Sequence, residues 1–360
     1  MFLSKEESIR TQREKIREEL KKEWQTIDYE KRWLELKNFR TEMAKYVEGY
    51  NDCDENNLMA KLSILSNGHI LDHHALGYFA PMKFKRWGFK NRNGELVKRS
   101  PDEQIKVLSR YFEEHNIRFI YVPIPCKVAV DPKIAVKWDV IPEDGLVIPQ
   151  WREILWKLAE GGVELIDCYS MLRTASGKPF TKNHHISPIG ARIIAEAVSD
   201  YICNTTVYSQ NEKRFICRDE IIGSPVLLNS GNNNSREVGA EYFESTRVFF
   251  KDSAGLERPY LGKNTDSKIV IVGDCNLQSY RGQGVDVTAQ IAGKLKYPVE
   301  YLGRYLPFAK NDSIDKLPEG SLYDKEIVIY IGFVSASFVR ANNDEDVWSM
   351  DLPGEEIFRK

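Results

Sequence analysis

The chain has 360 residues, of which 42% are hydrophobic and 29% are charged, and its formal net charge at pH 7 is −2. This length and apolar content suffice for one large α/β core with an appended segment. The near-zero charge gives no general attraction to nucleic acid. No stretch reaches the ~20 apolar residues of a membrane span. Composition therefore predicts a protein with no nucleic-acid partner and no transmembrane segment of its own.

The N-terminal part of the chain, from residue 4 to about residue 50, alternates acidic and basic side chains densely. Apolar residues interspersed among these charges predict one or two long helices. We expect residues 1–60 to form a charged helical extension and residues 61–360 to form the main domain. The extension is a candidate spacer, partner-binding arm or self-association element, or it packs along one side of the domain. No signal peptide is visible, which by itself predicts a cytoplasmic location.

From Pro101 onward, helical and strand-like segments alternate, which indicates an α/β fold. The predicted helices are 102–114, 150–159, 191–202 and 285–295, and the predicted strands are 117–122, 163–166, the apolar run after Lys268, 299–302 and 326–331. These five strands predict one parallel sheet flanked by helices. Residues 204–265 are richer in Asn, Ser and Gly and contain short β-like pieces, so we expect an inserted antiparallel element there.

One apolar, β-branched run ends abruptly at a polar turn, in the segment Lys268-Ile-Val-Ile-Val-Gly-Asp-Cys-Asn276. Such a run is typical of a buried parallel strand. In α/β sheets, ligands and chemistry lie just beyond the carboxyl ends of the strands. Cys275 therefore lies where a nucleophile is expected.

A second polar segment, Lys182-Asn-His-His-Ile-Ser-Pro-Ile-Gly190, precedes an alanine-rich amphipathic stretch. Ser187 suits a helix N-cap, and Pro188 suits the first helical turn. The pattern predicts that a helix follows directly and that His185 lies in the loop just before it. His185 is therefore a candidate catalytic base.

Each of these residues also has an ordinary structural interpretation. Cys275 is otherwise a small buried residue that closes a strand, because cysteine is among the residues most often buried. His185 is otherwise a loop histidine bonded to backbone, which is what we expect of His184. Asn183 is otherwise a turn residue.

Together the two segments resemble the SGNH-hydrolase-like domain of the alginate O-acetyltransferase family, the AlgJ/AlgX type. That family carries Asp-Thr-His-Trp-Thr-Pro-x-Gly-Ala before a helix, and later a strand ending in Gly-Asp-Ser. The equivalent positions here are Asn183, His185, Pro188, Gly190, Ala191 and Gly273-Asp274-Cys275. The segment Phe119-Ile-Tyr-Val-Pro-Ile-Pro-Cys-Lys127, with Val130-Asp-Pro-Lys133, is similar to the family's Val-Pro-Pro-Lys segment. The resemblance covers roughly residues 100 to 340 and implies a circularly permuted order, with the histidine before the nucleophile.

The resemblance implies a catalytic triad in which two positions differ from the family. Asn183 stands in place of the aspartate and Cys275 in place of the serine. A serine triad needs a carboxylate to stabilise the imidazolium that forms, whereas a cysteine thiolate and an imidazolium can exist as an ion pair beforehand. A neutral amide is then enough to orient His185. The paired replacement is what a working Cys-His-Asn triad requires, and it is also what lost catalysis would leave.

Residues around the cysteine supply further candidates for binding the reacting groups. The backbone N–H of Cys275 is the first candidate oxyanion donor, because it lies at the turn after the strand. The other oxyanion or substrate candidates are Asp274, Asn276, Gln278, Tyr280 and Arg281. Their amide, hydroxyl and guanidinium groups suit an acyl group or a sugar, and the alternative for each is ordinary loop hydrogen bonding.

The sequence predicts neither a metal site nor a cofactor. Its six cysteines show no zinc-type or thioredoxin-type spacing; they are residues 53, 126, 168, 203, 217 and 275. His69 and His73 stand four apart beside Asp72 and His74, but no motif supplies a third ligand.

A local basic and aromatic cluster occupies Lys83–Arg92 and Lys98-Arg99. We expect a solvated loop there, with its aromatic residues tucked under the domain. The alternative is a sugar-binding surface in which Trp87 stacks on a pyranose ring.

The leading functional hypothesis is acetyl transfer to hydroxyls of a polysaccharide through a Cys275 thioester. The resemblance implies a polysaccharide acceptor, a membrane-bound acyltransferase as acetyl donor, and work outside the cytoplasm. A carbohydrate esterase using the same residues is the second hypothesis. The third is an inactive SGNH-like subunit that binds glycan or assists assembly, so the sequence leaves open whether the protein is an enzyme.

Overall fold

The computed structural model describes residues 4–46, 62–64, 68–72, 86–90, 96–134, 145–183, 185–206, 214–230, 234–304, 317–333, 347–349 and 355–359. Within them the helices are α1 Lys5–Thr26, α2 Tyr29–Tyr46, α3 Pro101–Glu114, α4 Lys127–Val130, α5 Pro149–Glu160, α6 Tyr169–Arg173, α7 Pro188–Thr205 and α8 Val287–Leu295. No helix in these ranges is both long and apolar enough to cross a membrane.

Within the described ranges, the strands fall into four sheets. In chain order they are β1 Leu62–Ile64, β2 Ile70–Asp72, β3 Arg86–Lys90, β4 Leu96–Arg99, β5 Arg118–Ile124, β6 Glu164–Leu165, β7 Phe215–Ser230, β8 Asn234–Lys251, β9 Glu257–Pro259, β10 Ile269–Gly273, β11 Glu300–Arg304, β12 Ile327–Phe333 and β13 Val347–Ser349. The largest is a five-stranded sheet in the order β11-β10-β12-β5-β6, in which every pair is parallel. The predicted five-stranded parallel sheet is confirmed.

Helices cover both faces of this sheet. Alternate residues of the central strands face opposite sides, as the two-residue period of a strand requires. Ile269 and Ile271 of β10 belong to the core that includes α7 and α8, whereas Val270 and Val272 belong to the core that includes α3 and α5. All five residues of β10 are buried, so the chain leaves the centre of the sheet only after Gly273.

The inserted antiparallel element is also confirmed. β7 and β8 form a long two-stranded ribbon, and β9 pairs with the end of β8. The ribbon packs on the loop that follows the cysteine, where Arg247 Nε donates to the Gln283 carbonyl over 2.7 Å. The insertion therefore lies against the loop beyond the end of β10.

The N-terminal helices pack against the α/β domain. Leu20 of α1 lies in one hydrophobic core, and Leu36 of α2 lies in the other. Trp24 stacks on Trp156 of α5, with ring centroids 4.5 Å apart and planes 6° apart. Of the roles considered for the extension, packing along one side of the domain agrees with these contacts. The boundary near residue 60 stays a prediction.

Several predictions concern side chains outside the described residues. β3 and β4 form an antiparallel pair within the basic and aromatic cluster, but the side chains of that cluster are not among those described. His73, His74 and His184 lie outside the described residues altogether.

Candidate active site

The cysteine follows β10 in a one-turn 3-10 helix, Cys275–Gln278. β10 lies between β11 and β12, and a Cβ at Gly273 would sit 1.9 Å from the Ile331 carbonyl oxygen of β12. Only glycine fits this close approach. The buried Asp274 side chain then caps the turn by accepting from the Asn276 N–H over 2.8 Å. Cys275 is thus held just beyond the carboxyl end of a central strand, and it is partly exposed.

The histidine lies in a tight loop, residues 179–187, which we call the histidine loop. The two ends of the loop pair through the backbone, since Thr181 N–H donates to the His185 carbonyl over 2.9 Å and Ser187 N–H donates to the Pro179 carbonyl over 3.0 Å. Ser187 also caps α7 by accepting from the Gly190 N–H over 3.2 Å, as the sequence predicts. The loop that carries His185 is therefore fixed by the first residues of α7.

Asn183 and His185 are in direct contact within this loop. The His185 Nδ1 atom lies 3.2 Å from Asn183 Oδ1, and the His185 backbone N–H donates to the same oxygen over 2.9 Å. The Thr181 hydroxyl donates to it as well. With an amide oxygen as the partner, Nδ1 carries the proton and Nε2 is the proton acceptor of the ring. The structure thus brings Asn183, the predicted orienting residue, into contact with His185, the predicted base.

The histidine loop and the cysteine turn are joined by the side chain of Asn276. Its Oδ1 accepts from the Ile186 N–H over 3.0 Å, and its Nδ2 donates to Asp274 Oδ1 over 2.8 Å. The residue after the cysteine thus holds the residue after the histidine. Asn276 is 1% exposed, so its amide makes these contacts inside the protein.

We expect Asn276→Ala to lower the free energy of unfolding by about 1–3 kcal/mol, because it leaves the Ile186 N–H without its partner in a buried place. Acylation of Cys275 should slow in the same variant, since the two loops lose their direct connection. Urea unfolding measures the first effect. Gln278→Ala, in the exposed position of the same turn, is the stability control. Equal stabilities of the two variants would contradict the bridging role of Asn276.

The remaining candidates around the cysteine lie in different environments. Gln278 is exposed. Tyr280 adopts a left-handed backbone conformation with φ of 62° and packs against Phe243 of the ribbon, and burial raises the pKa of its hydroxyl to about 12. The Arg281 guanidinium donates to the Leu261 carbonyl over 2.7 and 3.0 Å and lies 3.8 Å above the centroid of the Tyr301 ring. Roles of these residues toward a substrate stay predictions.

A buried lysine that the sequence did not single out as functional contacts the histidine loop. Lys127, at the start of α4, is 5% exposed, and its Nζ donates to the carbonyl oxygens of Thr181, Lys182 and Asn183 over 2.7, 2.9 and 2.7 Å. Burial lowers the pKa of Lys127 to about 7, and the carboxylates of Glu241 and Asp131 oppose this shift. The sequence signal for Lys127 was the similarity of its segment, just after β5, to the Val-Pro-Pro-Lys segment of the family.

The ribbon holds the same loop from another direction. Glu241 of β8 is buried, and both of its carboxylate oxygens accept from the Lys182 N–H over 2.7 Å. Burial raises the pKa of Glu241, and this backbone hydrogen bond together with the charge of Lys127 acts against the rise. No spacing in the sequence pointed to Glu241, which lies in the inserted element.

Comparison with known proteins places the chain in a family. A family model described as an SGNH hydrolase-like domain of the acetyltransferase AlgX matches residues 84–281, which is over half of the chain and includes Asn183, His185 and Cys275. No curated protein sequence matches the chain significantly.

Solved structures resemble this chain at low sequence identity. The O-acetyltransferase domain of Pseudomonas putida AlgJ superposes with a TM-score of 0.50 at 10% identity, covering 79% of this chain and 95% of that one. Pseudomonas aeruginosa AlgX gives 0.48 at 13% identity, covering 81% and 65%, and Bacillus cereus PatB1 gives 0.41 at 12% identity, covering 71% and 98%. By the extent of its match to the family model, the chain belongs to the family of SGNH hydrolase-like domains of the acetyltransferase AlgX type.

Proposed function

We propose that the protein transfers an acetyl group to hydroxyls of a polysaccharide through a thioester on Cys275, with His185 as the base and Asn183 orienting it. The contact between Asn183 Oδ1 and His185 Nδ1, in a loop held against the cysteine turn by Asn276, is the observation that supports this most. Family membership supplies the reaction class and the acceptor class. A membrane-bound acyltransferase is the acetyl donor we propose, again on family grounds.

The first half of the proposed reaction loads the enzyme. Cys275 as thiolate attacks the acetyl carbonyl carbon, and the tetrahedral adduct collapses as the bond to the donor oxygen breaks. The imidazolium of His185 gives its proton to that leaving oxygen. Because a thiolate and an imidazolium can exist as an ion pair before the attack, the amide of Asn183 needs only to hold the ring.

The second half of the proposed reaction transfers the acetyl group from Cys275 to the sugar. His185 Nε2 takes the proton of a sugar hydroxyl as that oxygen attacks the thioester carbon, and the C–S bond breaks to restore the thiolate. The backbone N–H of Cys275 is the proposed oxyanion donor in both halves. Gln278 of the cysteine turn is exposed, and its side-chain amide is a proposed contact for the acceptor.

Intact-protein mass spectrometry after brief exposure to an activated acetyl ester tests the proposal. We expect one acetyl group on the wild type, mapped to Cys275, and none at that residue in Cys275→Ala; in His185→Ala, loading should be at least 10²-fold slower. Cys203→Ala is the matched control, because Cys203 is an exposed thiol far along α7 from the histidine loop.

The fate of the acetyl group separates the alternatives. Transfer to an added oligosaccharide, faster than loss to water, supports the transferase, whereas loss to water alone indicates an esterase that uses the same residues. If wild type, Cys275→Ala and His185→Ala behave alike, the enzyme hypothesis fails. Binding of the oligosaccharide without chemistry would then favour a glycan-binding subunit.

A further inference from the structure

We propose that Lys127 is a positioning residue for the reaction, whose ammonium group fixes the backbone of residues 181–183 and thereby sets Asn183 and His185 in register with the cysteine. This rests on the proposed function, since the rate it affects is acylation of Cys275. The residue touches neither the base nor the nucleophile in this role. It acts through three consecutive carbonyl groups of the histidine loop.

The stoichiometry of the contact supports a positioning role. An ammonium group has three protons, and each has a carbonyl acceptor here at 2.7–2.9 Å. Burying a cation is costly unless it is fully hydrogen-bonded, so an apolar side chain would fill this space at lower cost if packing were the only requirement. Three carbonyl groups turned toward one point also fix the peptide planes of residues 181–183.

The loop is fixed from two sides. Lys127 draws the carbonyl groups of residues 181–183 toward the end of β5, while Glu241 of the ribbon holds the Lys182 N–H. Asn183 is the last of the three residues whose carbonyl groups accept from Lys127, and its side-chain Oδ1 contacts His185 Nδ1. Rotation of that peptide would move Oδ1 away from the imidazole. Misplacement by about 1 Å in an active site costs on the order of 10²-fold in rate.

A second buried lysine at the other end of the sheet provides a matched control. Lys325, just before β12, is 8% exposed and donates to the carbonyl oxygens of Thr265 and Ser267 and to the Glu300 carboxylate. Lys325→Met removes a buried ammonium from the opposite end of the sheet, and because it also leaves the Glu300 carboxylate without its partner, it should cost at least as much stability as Lys127→Met. It therefore reports the cost in stability without a cost in positioning.

The test compares Lys127→Met, Lys325→Met, Asn183→Ala and the double variant Lys127→Met/Asn183→Ala at pH 6, where Lys127 is charged. We expect Lys127→Met to lower the rate of Cys275 acylation at saturating ester about 100-fold while KM changes less than about threefold. Lys325→Met should keep the wild-type rate. The double variant should be no slower than the slower single variant, because both changes disable the same contact.

A spectroscopic readout keeps the inference testable if the proposed function fails. The Nδ1 proton of His185, assigned by its loss in His185→Ala, should give a protected NMR signal in the wild type and in Lys325→Met, and that signal should broaden or vanish in Lys127→Met. Retention of the signal and of the acylation rate in Lys127→Met overturns the inference. If the wild type acquires no acetyl group, the proposed function fails by itself and the NMR comparison decides the role of Lys127.

Discussion

Glu164→Gln is expected to lower the free energy of unfolding by about 3–5 kcal/mol, the cost of leaving buried charges without their partner. The Glu164 carboxylate has no exposed surface; it accepts from Arg118 Nη2 over 2.6 Å, from Arg13 Nη2 over 2.8 Å and from the Tyr201 hydroxyl over 2.9 Å. Burial alone raises the pKa of Glu164, but hydrogen bonds and charge from Arg118 and then Arg13 outweigh it and leave the pKa below its ordinary value. A neutral amide leaves the Arg118 guanidinium without its carboxylate and leaves Arg13 with only the exposed Glu113.

The control for this prediction is Glu113→Gln. Glu113 is the other carboxylate that contacts Arg13, over 3.0 Å, but its side chain is 40% exposed, so its loss should cost less than about 1 kcal/mol. Urea unfolding of both variants at pH 7 gives the comparison. Because the pKa of Glu164 is depressed by folding, its contribution is present above the ordinary glutamate pKa and disappears as the pH falls through the folded value. Equal losses in the two variants would show that burial does not decide the strength of this ion pair.

The same contact shows why the sequence predicted the N-terminal helices but not how they pack on the domain. Dense alternating charge predicted helices correctly, but a charged surface pattern does not say which charges are paired with the domain. Arg13 pairs with Glu164, which lies 151 positions later in the sequence, and no local sequence pattern predicts this pairing. Leu20 and Trp24 make the apolar contacts of α1 with the domain. Their helical spacing would suit self-association equally well.

The sequence was most informative where backbone chemistry is local. A β-branched run ended by Gly273 is typical of a buried strand followed by a tight turn, and Ser187-Pro188 is typical of a helix start. These two signals predicted Cys275 at the end of a strand and His185 in the loop before a helix. The parallel sheet, its five strands and the antiparallel insertion followed from the same local patterns.

The supporting contacts of the site were not predictable in this way. Asn276 was a candidate oxyanion donor because it follows the cysteine, whereas the fold uses its amide to join the cysteine turn to Ile186. Arg281 was a substrate candidate because of its charge, and the fold gives it the Leu261 carbonyl and the Tyr301 ring. Lys127 and Glu241 reach the histidine loop from different elements. Each contact depends on how distant segments meet.

The pairing of Asn183 with Cys275 gives the prediction with the largest effect on catalysis. Cys275→Ser alone should lower the acylation rate by about 10³–10⁴-fold, because a serine triad with an amide in place of its carboxylate cannot stabilise the imidazolium. Cys275→Ser/Asn183→Asp should recover at least about 10²-fold of that loss. Asn183→Asp alone should change the rate less than about tenfold, since a thiolate does not depend on the carboxylate.

The geometry around Asn183 makes the double variant a fair test. Every hydrogen bond that the described residues make to its side chain goes to Oδ1, from the Thr181 hydroxyl, the His185 N–H and His185 Nδ1. A carboxylate oxygen accepts the same three bonds, so aspartate fits without rearrangement. Cys275→Ser/Asn264→Asp, with the new charge at a loop position where the side chain caps Asp266 N–H, is the matched control and should recover nothing. Acylation rates measured by mass spectrometry with the acetyl ester give the coupling energy between positions 183 and 275. Strictly additive effects would mean that the two substitutions are unrelated. The Cys-His-Asn triad would then lose its main physical justification.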